Sequence, residues 1–199
     1  LQYPKYSGYS KLTAHLKATV TGGAEPTQQQ VYDYVKANYK QFIAADAADP
    51  ATKGGDDTIY GGSGDDIIIA GAGHDTVYGG SGNDVISTGR GNDTIVFDVL
   101  KAADATGGNG KDTWVDYEAN DKIKFGTGFF DGLLSSDLSN AGKVGAFISV
   151  ANDVLGNTVV KVDRDGAGGN HTMSDLLVLE NKTGVTLQDL LNNNQIIIG

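Results

Sequence analysis

The sequence predicts a mainly β fold built around a parallel β-solenoid, and three observations lead to this prediction. A nine-residue unit recurs five times without a break between residues 52 and 96. Every unit has Gly at its fourth position, Asp at its sixth, and Ile or Val at its eighth. The chain also contains 29 Gly, which suits closely spaced turns. A short fixed period of this kind is typical of stacked repeats, so we expect a solenoid rather than a flexible glycine-rich linker.

Each unit is expected to contribute one loop and one short strand. The units are TKGGDDTIY (52–60), GGSGDDIII (61–69), AGAGHDTVY (70–78), GGSGNDVIS (79–87) and TGRGNDTIV (88–96). The glycine-rich half should turn, because glycine adopts positive φ without strain. The last three residues should form a strand whose middle side chain points inward. These inward side chains are Ile59, Ile68, Val77, Ile86 and Ile95.

Two units are expected to complete one coil, so that units two apart stack directly on each other. Asp57, Asp75 and Asp93 would then line one side of the solenoid, and Asp66 and Asp84 the other. A degenerate sixth copy, GGNGKDTWV (107–115), follows an insertion, and its Trp114 is expected to plug the end of the core.

The outward-facing positions of the units lead to two further predictions. Tyr60 and Tyr78 should form an aromatic ladder that packs against an N-terminal helix, which we favour over a sugar-binding face. The fifth-position side chains Asp56, Asp65 and His74 should face solvent.

The regions on either side of the repeats are predicted to cap the solenoid. We divide the chain into an N-terminal helical cap (1–50), the repeat region (51–115) and a C-terminal β-rich cap (116–199). Thr27 and Gln30 form a capping box that predicts a helix at about 28–46, and a weaker helix is expected at about 10–20. The C-terminal region contains strand candidates and one short helix candidate capped by Thr186. The strand candidates are 121–125, 145–150, 157–163, 175–180 and the final QIIIG, and the helix candidate is 185–194.

Composition excludes several classes of function. The net charge is −10 and no basic stripe is present, so we expect no nucleic-acid partner. No apolar run approaches the ~20 residues that span a bilayer, so we expect no membrane insertion. The sequence contains no HExxH helix, GxSxG elbow or phosphate loop, and we therefore predict that it is not an enzyme.

The pattern of carboxylates predicts a calcium-binding protein. Of the 25 acidic residues only Glu25, Glu118 and Glu180 are Glu, and the rest are Asp, whose short side chain suits ligands in tight loops. Calcium accepts about six to eight oxygen ligands in flexible geometry, whereas magnesium demands a stricter octahedron. Zinc favours His and Cys, but the chain has no Cys and its three His are far apart in sequence. Without disulfides, a metal ion would have to hold the loops of an exported protein.

The repeats resemble those of the RTX (repeats-in-toxin) proteins of the bacterial type I secretion pathway. The resemblance rests on the GGxGxD units and covers about 52–115. The tail is similar to the C-terminal secretion module of giant RTX adhesins, through VDRDG (162–166) and VTLQDLLNNNQIII (185–198). This resemblance implies a calcium-binding β-roll and export by a type I secretion apparatus, with an uncleaved signal in about the last quarter of the chain, residues 150–199. It also implies an extracellular or cell-surface location, and we expect a monomer.

The resemblance further implies the ligands of each ion, which are two carbonyls and the Asp of one loop together with two carbonyls and the Asp of the loop two units on. The first set is Lys53, Gly55, Asp57, Ala70, Ala72 and Asp75. The second is Gly62, Gly64, Asp66, Gly79, Ser81 and Asp84. The third is Gly71, Gly73, Asp75, Thr88, Arg90 and Asp93. The fourth is Gly89, Gly91, Asp93, Gly107, Asn109 and Asp112. We expect about three to five ions. For Asp163 and Asp165, which could hold one more ion, we favour an ordinary turn.

These observations leave more than one function open. We expect a non-catalytic folding and secretion domain at the C-terminus of a large adhesin, because the chain lacks an initiator Met and its tail resembles the adhesin module. The same module could instead belong to a secreted protease or lipase whose activity lies upstream. Ice or glycan binding by the solenoid is disfavoured, because the third and fifth positions of the units form an irregular, partly charged surface.

Overall fold

The computed structural model describes residues 7–47 and 54–199. The chain divides into two compact units, Leu1–Ala44 and Ala45–Gly199, which are described separately below. None of the helices within the described residues combines the length and the apolar content needed to cross a membrane.

The first unit is helical, as the sequence predicts. Helix α1 comprises Ser7–Thr19, and helix α2 comprises Gln28–Ala47. The capping box forms at the start of α2, where the Thr27 N–H donates to Gln30 Oε1 (2.9 Å) and the Gln30 N–H donates to Thr27 Oγ1 (3.2 Å). Both predicted helices are therefore confirmed, and α1 begins three residues earlier than expected.

The second unit is rich in β-structure. Within residues 54–199 there are eleven strands, two short α-helices and two 3₁₀-helices, Ser135–Ser139 and Gly166–Gly168. The strands are β1 Thr58–Ser63, β2 Ile67–Ile69, β3 Thr76–Ser81, β4 Val85–Ser87, β5 Thr94–Phe97, β6 Asp112–Trp114, β7 Lys122–Phe125, β8 Ile148–Asn152, β9 Thr158–Val162, β10 Ser174–Leu179 and β11 Ile196–Ile198. The α-helices are α3 Ala141–Val144 and α4 Leu187–Asn192.

The strands form two sheets, and from β1 to β7 the chain alternates between them. One sheet has the order β1-β3-β5-β7-β11, and the other has the order β2-β4-β6-β10-β9-β8. All pairs among β1 to β7 are parallel, and equivalent repeat positions pair, as Ile59 does with Val77. The prediction of a mainly β fold with parallel strands is confirmed. The strand of each unit thus lies directly beside the strand of the unit two positions on.

Branched side chains from the eighth position of the units fill the space between the sheets. Ile68, Val77, Ile86 and Ile95 are buried, whereas Ile59 in the first unit is partly exposed. These side chains belong to one hydrophobic core that continues into the C-terminal region. Burial of these positions explains why Ile or Val recurs every nine residues.

The prediction that Trp114 closes the core is wrong. Trp114 is fully buried, but β6 lies between β4 and β10, and the indole packs edge-on against Tyr117. Both sheets are extended beyond the repeats by C-terminal strands, so the core does not end at this residue.

The C-terminal elements agree with the sequence in kind, and most of their bounds differ slightly from the predicted ones. Strands β7, β9, β10 and β11 lie at the predicted segments. Strand β8 begins at Ile148 rather than 145, because Gly145 and Phe147 complete the turn that follows α3. The Thr186 side chain caps α4 as predicted, accepting the Asp189 N–H.

An insertion between β5 and β6 is attached to the C-terminal region by a buried arginine. Arg164 Nε donates to the carbonyl of Phe129 (2.9 Å), and its Nη1 donates to the carbonyl of Ala102 (2.7 Å) within the insertion. The guanidinium also lies over the Phe129 ring. These contacts attach the insertion to the C-terminal region.

Candidate calcium clefts

The sixth-position aspartates form two hydrogen-bonded ladders. In the first ladder, the N–H of Asp57 donates to Asp75 Oδ1 (2.8 Å), that of Asp75 to Asp93 Oδ1 (2.8 Å), and that of Asp93 to Asp121 Oδ1 (3.0 Å). In the second ladder, the N–H of Asp66 donates to Asp84 Oδ1 (2.8 Å), and that of Asp84 to Asp112 Oδ1 (2.9 Å). Below, "cleft" means the space between two loops that are adjacent in one ladder.

The second carboxylate oxygen of four of these aspartates has no hydrogen-bond partner. The Oδ2 atoms of Asp66, Asp75, Asp84 and Asp93 are buried and unpaired. The residues Asp75, Asp84 and Asp93 are at most 1% exposed. A buried acceptor without a partner is costly, and a charged one is more so. A cation beside these oxygens would remove that cost, so the residues fit a metal ion.

Burial also shifts the ionisation of these groups. Desolvation raises the pKa of Asp75, Asp84 and Asp93 above the ordinary value, and hydrogen bonds from neighbouring N–H groups oppose it only in part. Burial raises the pKa of Asp112 to about 8 and that of Asp121 to about 7. These raised pKa values favour the protonated carboxyl form. A divalent cation would favour the carboxylate form instead, because it places positive charge nearby.

Backbone carbonyls from both loops face each cleft. A methyl group added to Gly80 or Gly82 would overlap the carbonyl oxygens of Gly62 and Gly64, so these oxygens point toward the following loop. In the opposite direction, a methyl group on Gly61 would overlap the carbonyl oxygen of Gly79. The carbonyls of the second and fourth positions therefore face forward along the ladder, and that of the first position faces back.

Side chains alone do not complete a metal site in these clefts. Within residues 7–47 and 54–199, no three His, Asp or Glu side chains cluster in a way that could hold a metal ion. Each cleft offers two carboxylates, and carbonyl oxygens are the other ligands available. Carboxylates combined with carbonyls are the donor set that calcium prefers.

Comparison with known families agrees with this geometry. Residues 52–77 and 60–95 match the RTX calcium-binding nonapeptide repeat, in four copies. Residues 52–95 therefore resemble RTX calcium-binding repeats in their sequence. The resemblance seen in the sequence is thus confirmed for these residues, and RTX repeats of this type bind Ca²⁺.

Other comparisons add little. No curated protein matches the chain. The chain is similar to the solution structure of the AlgE6R3 subunit from the Azotobacter vinelandii mannuronan C5-epimerase, with 22% identity over 75% of this chain and 86% of that one. The TM-score of 0.25 is too low for this similarity to bear on fold or function.

The fifth-position side chains of the RTX units form hydrogen bonds between loops, which the sequence analysis missed. Asp56 accepts the N–H of His74 (2.8 Å), and His74 Nδ1 accepts the N–H of Asn92 (2.9 Å). Asp65 accepts the N–H of Asn83 in the same way (2.9 Å). These side chains are exposed, as predicted, but they also bond the stacked loops to each other. The signal was present in the sequence, because the fifth position of all five units carries Asp, His or Asn.

The predicted pairing of the fourth ligand set is wrong. Asp112 Oδ1 accepts the backbone N–H of Asp84, whereas the backbone N–H of Asp93 donates to Asp121 Oδ1. The reason is that the set joined two consecutive units, 88–96 and 107–115, whereas units two apart stack, and the sixth unit enters the second sheet at β6, beside β4. Gly107 and Asn109 therefore lie in the loop that follows 79–84, and Gly89 and Gly91 lie in the other ladder. The Asn109 side chain donates to the carbonyls of Asp98 and Thr106 (both 2.8 Å).

A seventh unit, residues 116–124, was also missed. Its Asp121 and Ile123 follow Asp112 and Trp114 by nine residues, but the unit contains no glycine. Asp116 at its first position accepts the N–H groups of Thr88 (3.0 Å) and Gly89 (2.9 Å). The nine-residue spacing could have revealed this unit despite its missing glycines.

The remaining predicted features have different outcomes. Lys53 lies outside the described residues. Tyr60 and Tyr78 stack with their ring centroids 4.6 Å apart, and Tyr60 is 70% exposed. The aromatic ladder is therefore confirmed, while its packing against a helix stays a prediction.

Asp165 accepts the N–H groups of Asn170 (2.7 Å) and His171 (3.2 Å), which is consistent with a structural role in that turn.

The close approach of stacked loops gives a matched test of two glycines. Gly62 and Gly80 have nearly equal positive φ (104° and 102°). An added methyl group would meet another loop at Gly80 but nothing at Gly62. Gly62→Ala should cost only the backbone strain of about 1–2 kcal/mol. Gly80→Ala should cost about 2 kcal/mol more, because its methyl group meets the carbonyl of Gly62. Urea denaturation in calcium would measure both, and equal losses would contradict the stacking.

Proposed function

We propose that this chain is a calcium-dependent folding domain of an exported bacterial protein. The observation that carries the proposal is the set of four buried, unpaired Oδ2 atoms in the clefts of the RTX repeats. Without a cation, these clefts hold neighbouring buried carboxyl groups that disfavour the folded state. With calcium, binding free energy becomes folding free energy, because the unfolded chain has no preformed site.

The first three ligand sets given above are the proposed calcium sites, as a β-roll would arrange them. Asp75 would be shared by the clefts toward Asp57 and Asp93. In the first set, Gly55, Asp57, Ala70, Ala72 and Asp75 are described residues, and the contribution of Lys53 is proposed from the sequence. The helical region 1–50 and the region 116–199 are the proposed caps of the roll.

The environment of an exported protein explains why calcium would control folding. Cytosol is poor in free calcium, so the acidic loops would leave the chain unfolded and able to pass through a secretion channel. Extracellular calcium modules bind at about 10⁻⁴–10⁻³ M, which matches calcium outside the cell. Folding outside the cell would then prevent the chain from moving back through the secretion channel.

The finer proposal is that the chain serves as the secretion domain of a large adhesin. It is supported by the RTX repeats, which occur in secreted proteins, and by the resemblance of segments 162–166 and 185–198 to the adhesin module. Its partners would be calcium and the type I secretion apparatus, and it would act as a monomer without catalysis.

Export can be tested in a bacterium that expresses a type I apparatus. An unfolded passenger fused ahead of the chain should appear in the medium. The same fusion without residues 150–199 should remain in the cell, and the control without residues 7–47 should still be exported. Retention of the full fusion, or export without 150–199, would contradict the proposed secretion signal.

A further inference from the structure

We infer that a calcium ion binds between loops 79–84 and 107–112, and that none binds between loops 88–93 and 116–121. The two loops of the first cleft lie before and after the insertion in the sequence. The second of them lies outside the residues that match the RTX repeat. The inference rests on the proposed function, because it assigns calcium ions to particular clefts.

The carboxylates of Asp84 and Asp112 converge on one point beside Gly79. Asp84 is 1% exposed, and its Oδ2 has no hydrogen-bond partner. A methyl group on Gly79 would overlap this oxygen and would lie 3.2 Å from Asp112 Oδ2. Because position 79 has no side chain, the space between the two oxygens stays clear.

The fourth-position carbonyl faces this cleft as it does in the cleft before it. The carbonyl of Gly82 points at Gly110, where a methyl group would overlap it. The same relation holds between Gly64 and Gly82 one loop earlier. The Asn109 side chain is bonded to the carbonyls of Asp98 and Thr106, so it does not occupy the cleft. The two carboxylates and the fourth-position carbonyl therefore recur across the insertion, whereas the carbonyl of Gly107 accepts the N–H groups of Leu100 and Lys101.

The cleft between Asp93 and Asp121 differs in its second carboxylate, which already accepts two N–H groups of the protein. Asp121 Oδ1 accepts the N–H of Asp93, and its Oδ2 accepts the N–H of Glu118 (2.6 Å). Both oxygens of this carboxylate are thus engaged. Asp93 Oδ2 is unpaired, as Asp84 Oδ2 is, so the two clefts differ in their second carboxylate, Asp121 or Asp112.

The first position of loop 88–93 adds a second obstacle. Thr88 stands where loops 61–66 and 79–84 have glycine, and its side chain is fully buried. Its hydroxyl accepts the indole N–H of Trp114 (3.0 Å). Asp116 meanwhile binds the N–H groups of Thr88 and Gly89, which are the first two residues of this loop. The first ladder therefore ends in a coil held by protein contacts, while calcium binding in the second ladder extends to Asp112.

A crystal structure of the whole chain grown in calcium tests this assignment directly. Anomalous scattering should show an ion between Asp84 Oδ2 and Asp112 Oδ2 and none between Asp93 and Asp121. Ions in the Asp66–Asp84 and Asp75–Asp93 clefts without one at Asp112 would overturn the inference, as would an ion at Asp121. The absence of ions from every cleft would instead overturn the proposed function.

Two matched variants test it in solution. Asp112→Asn should bind one calcium ion fewer than the wild-type chain in equilibrium dialysis, and Asp121→Asn should bind the same number. Loss of an ion in Asp121→Asn, or no loss in Asp112→Asn, would contradict the assignment. If Asp112→Asn does not fold, the wild-type crystal decides.

Discussion

Removing calcium with EGTA is expected to abolish most of the β-sheet circular dichroism signal and to lower the melting temperature sharply. The clefts hold buried carboxyl groups whose second oxygens have no hydrogen-bond partner. Without calcium, each of these oxygens therefore destabilises the folded state. Each ion at roughly 10 to 100 times its dissociation constant stabilises the fold by about 1.4 to 2.7 kcal/mol. Several such ions together are comparable with the whole stability of an ordinary domain.

The control for this experiment is magnesium at the same concentration. Magnesium demands a tighter octahedral site and gives up its waters reluctantly, so it should restore little of the lost stability. A melting curve that EGTA leaves unchanged would rule against structural calcium. Full rescue by magnesium would show that charge screening, rather than a calcium site, stabilises the loops.

Replacing Asp75 with Ala is expected to destabilise the calcium-loaded chain more than replacing Asp57 with Ala. Asp75 is buried, accepts the Asp57 N–H, and borders two clefts, whereas Asp57 is exposed and borders only one within the described residues. We expect a loss of about 3 kcal/mol or more for Asp75→Ala and about 1 kcal/mol for Asp57→Ala. Urea denaturation in calcium would measure the difference.

The same pair should behave differently at low calcium. Removing a buried carboxyl group from a cleft that lacks a cation removes an unfavourable group, so the loss at Asp75 should shrink at the lowest calcium concentration at which the chain still folds. Asp75→Asn serves as a further control, because its amide oxygen can still accept the Asp57 N–H. Equal losses for the two alanine variants in calcium would argue against the stacking register.

The nine-residue period was sufficient to predict the first part of both ladders. Because two units complete a coil, the pairs Asp57–Asp75, Asp75–Asp93 and Asp66–Asp84 follow from counting alone. The inward Ile and Val side chains follow from the alternation of a strand. Local signals were equally reliable at the capping boxes of Thr27 and Thr186, whose hydrogen bonds involve residues three apart.

The fourth ligand set was mispaired because it joined the consecutive units 88–96 and 107–115 across the insertion. Arg164, 62 residues from Ala102, helps to fix the insertion, and no repeat pattern contains that contact. Counting units across the insertion gives the observed pair, Asp84 with Asp112, because units two apart stack. The position of Trp114 was mispredicted because β10, which comes from a segment far along the chain, pairs with β6 and extends the sheet beyond it.

A calcium titration of the thoroughly decalcified chain, followed by circular dichroism and calorimetry together, tests the central claim most directly. We predict little native β-sheet signal at the start, a cooperative rise as calcium is added, and several ions bound per chain by the end of the rise. A compact chain with its full β-sheet signal before any calcium is added would contradict the claim.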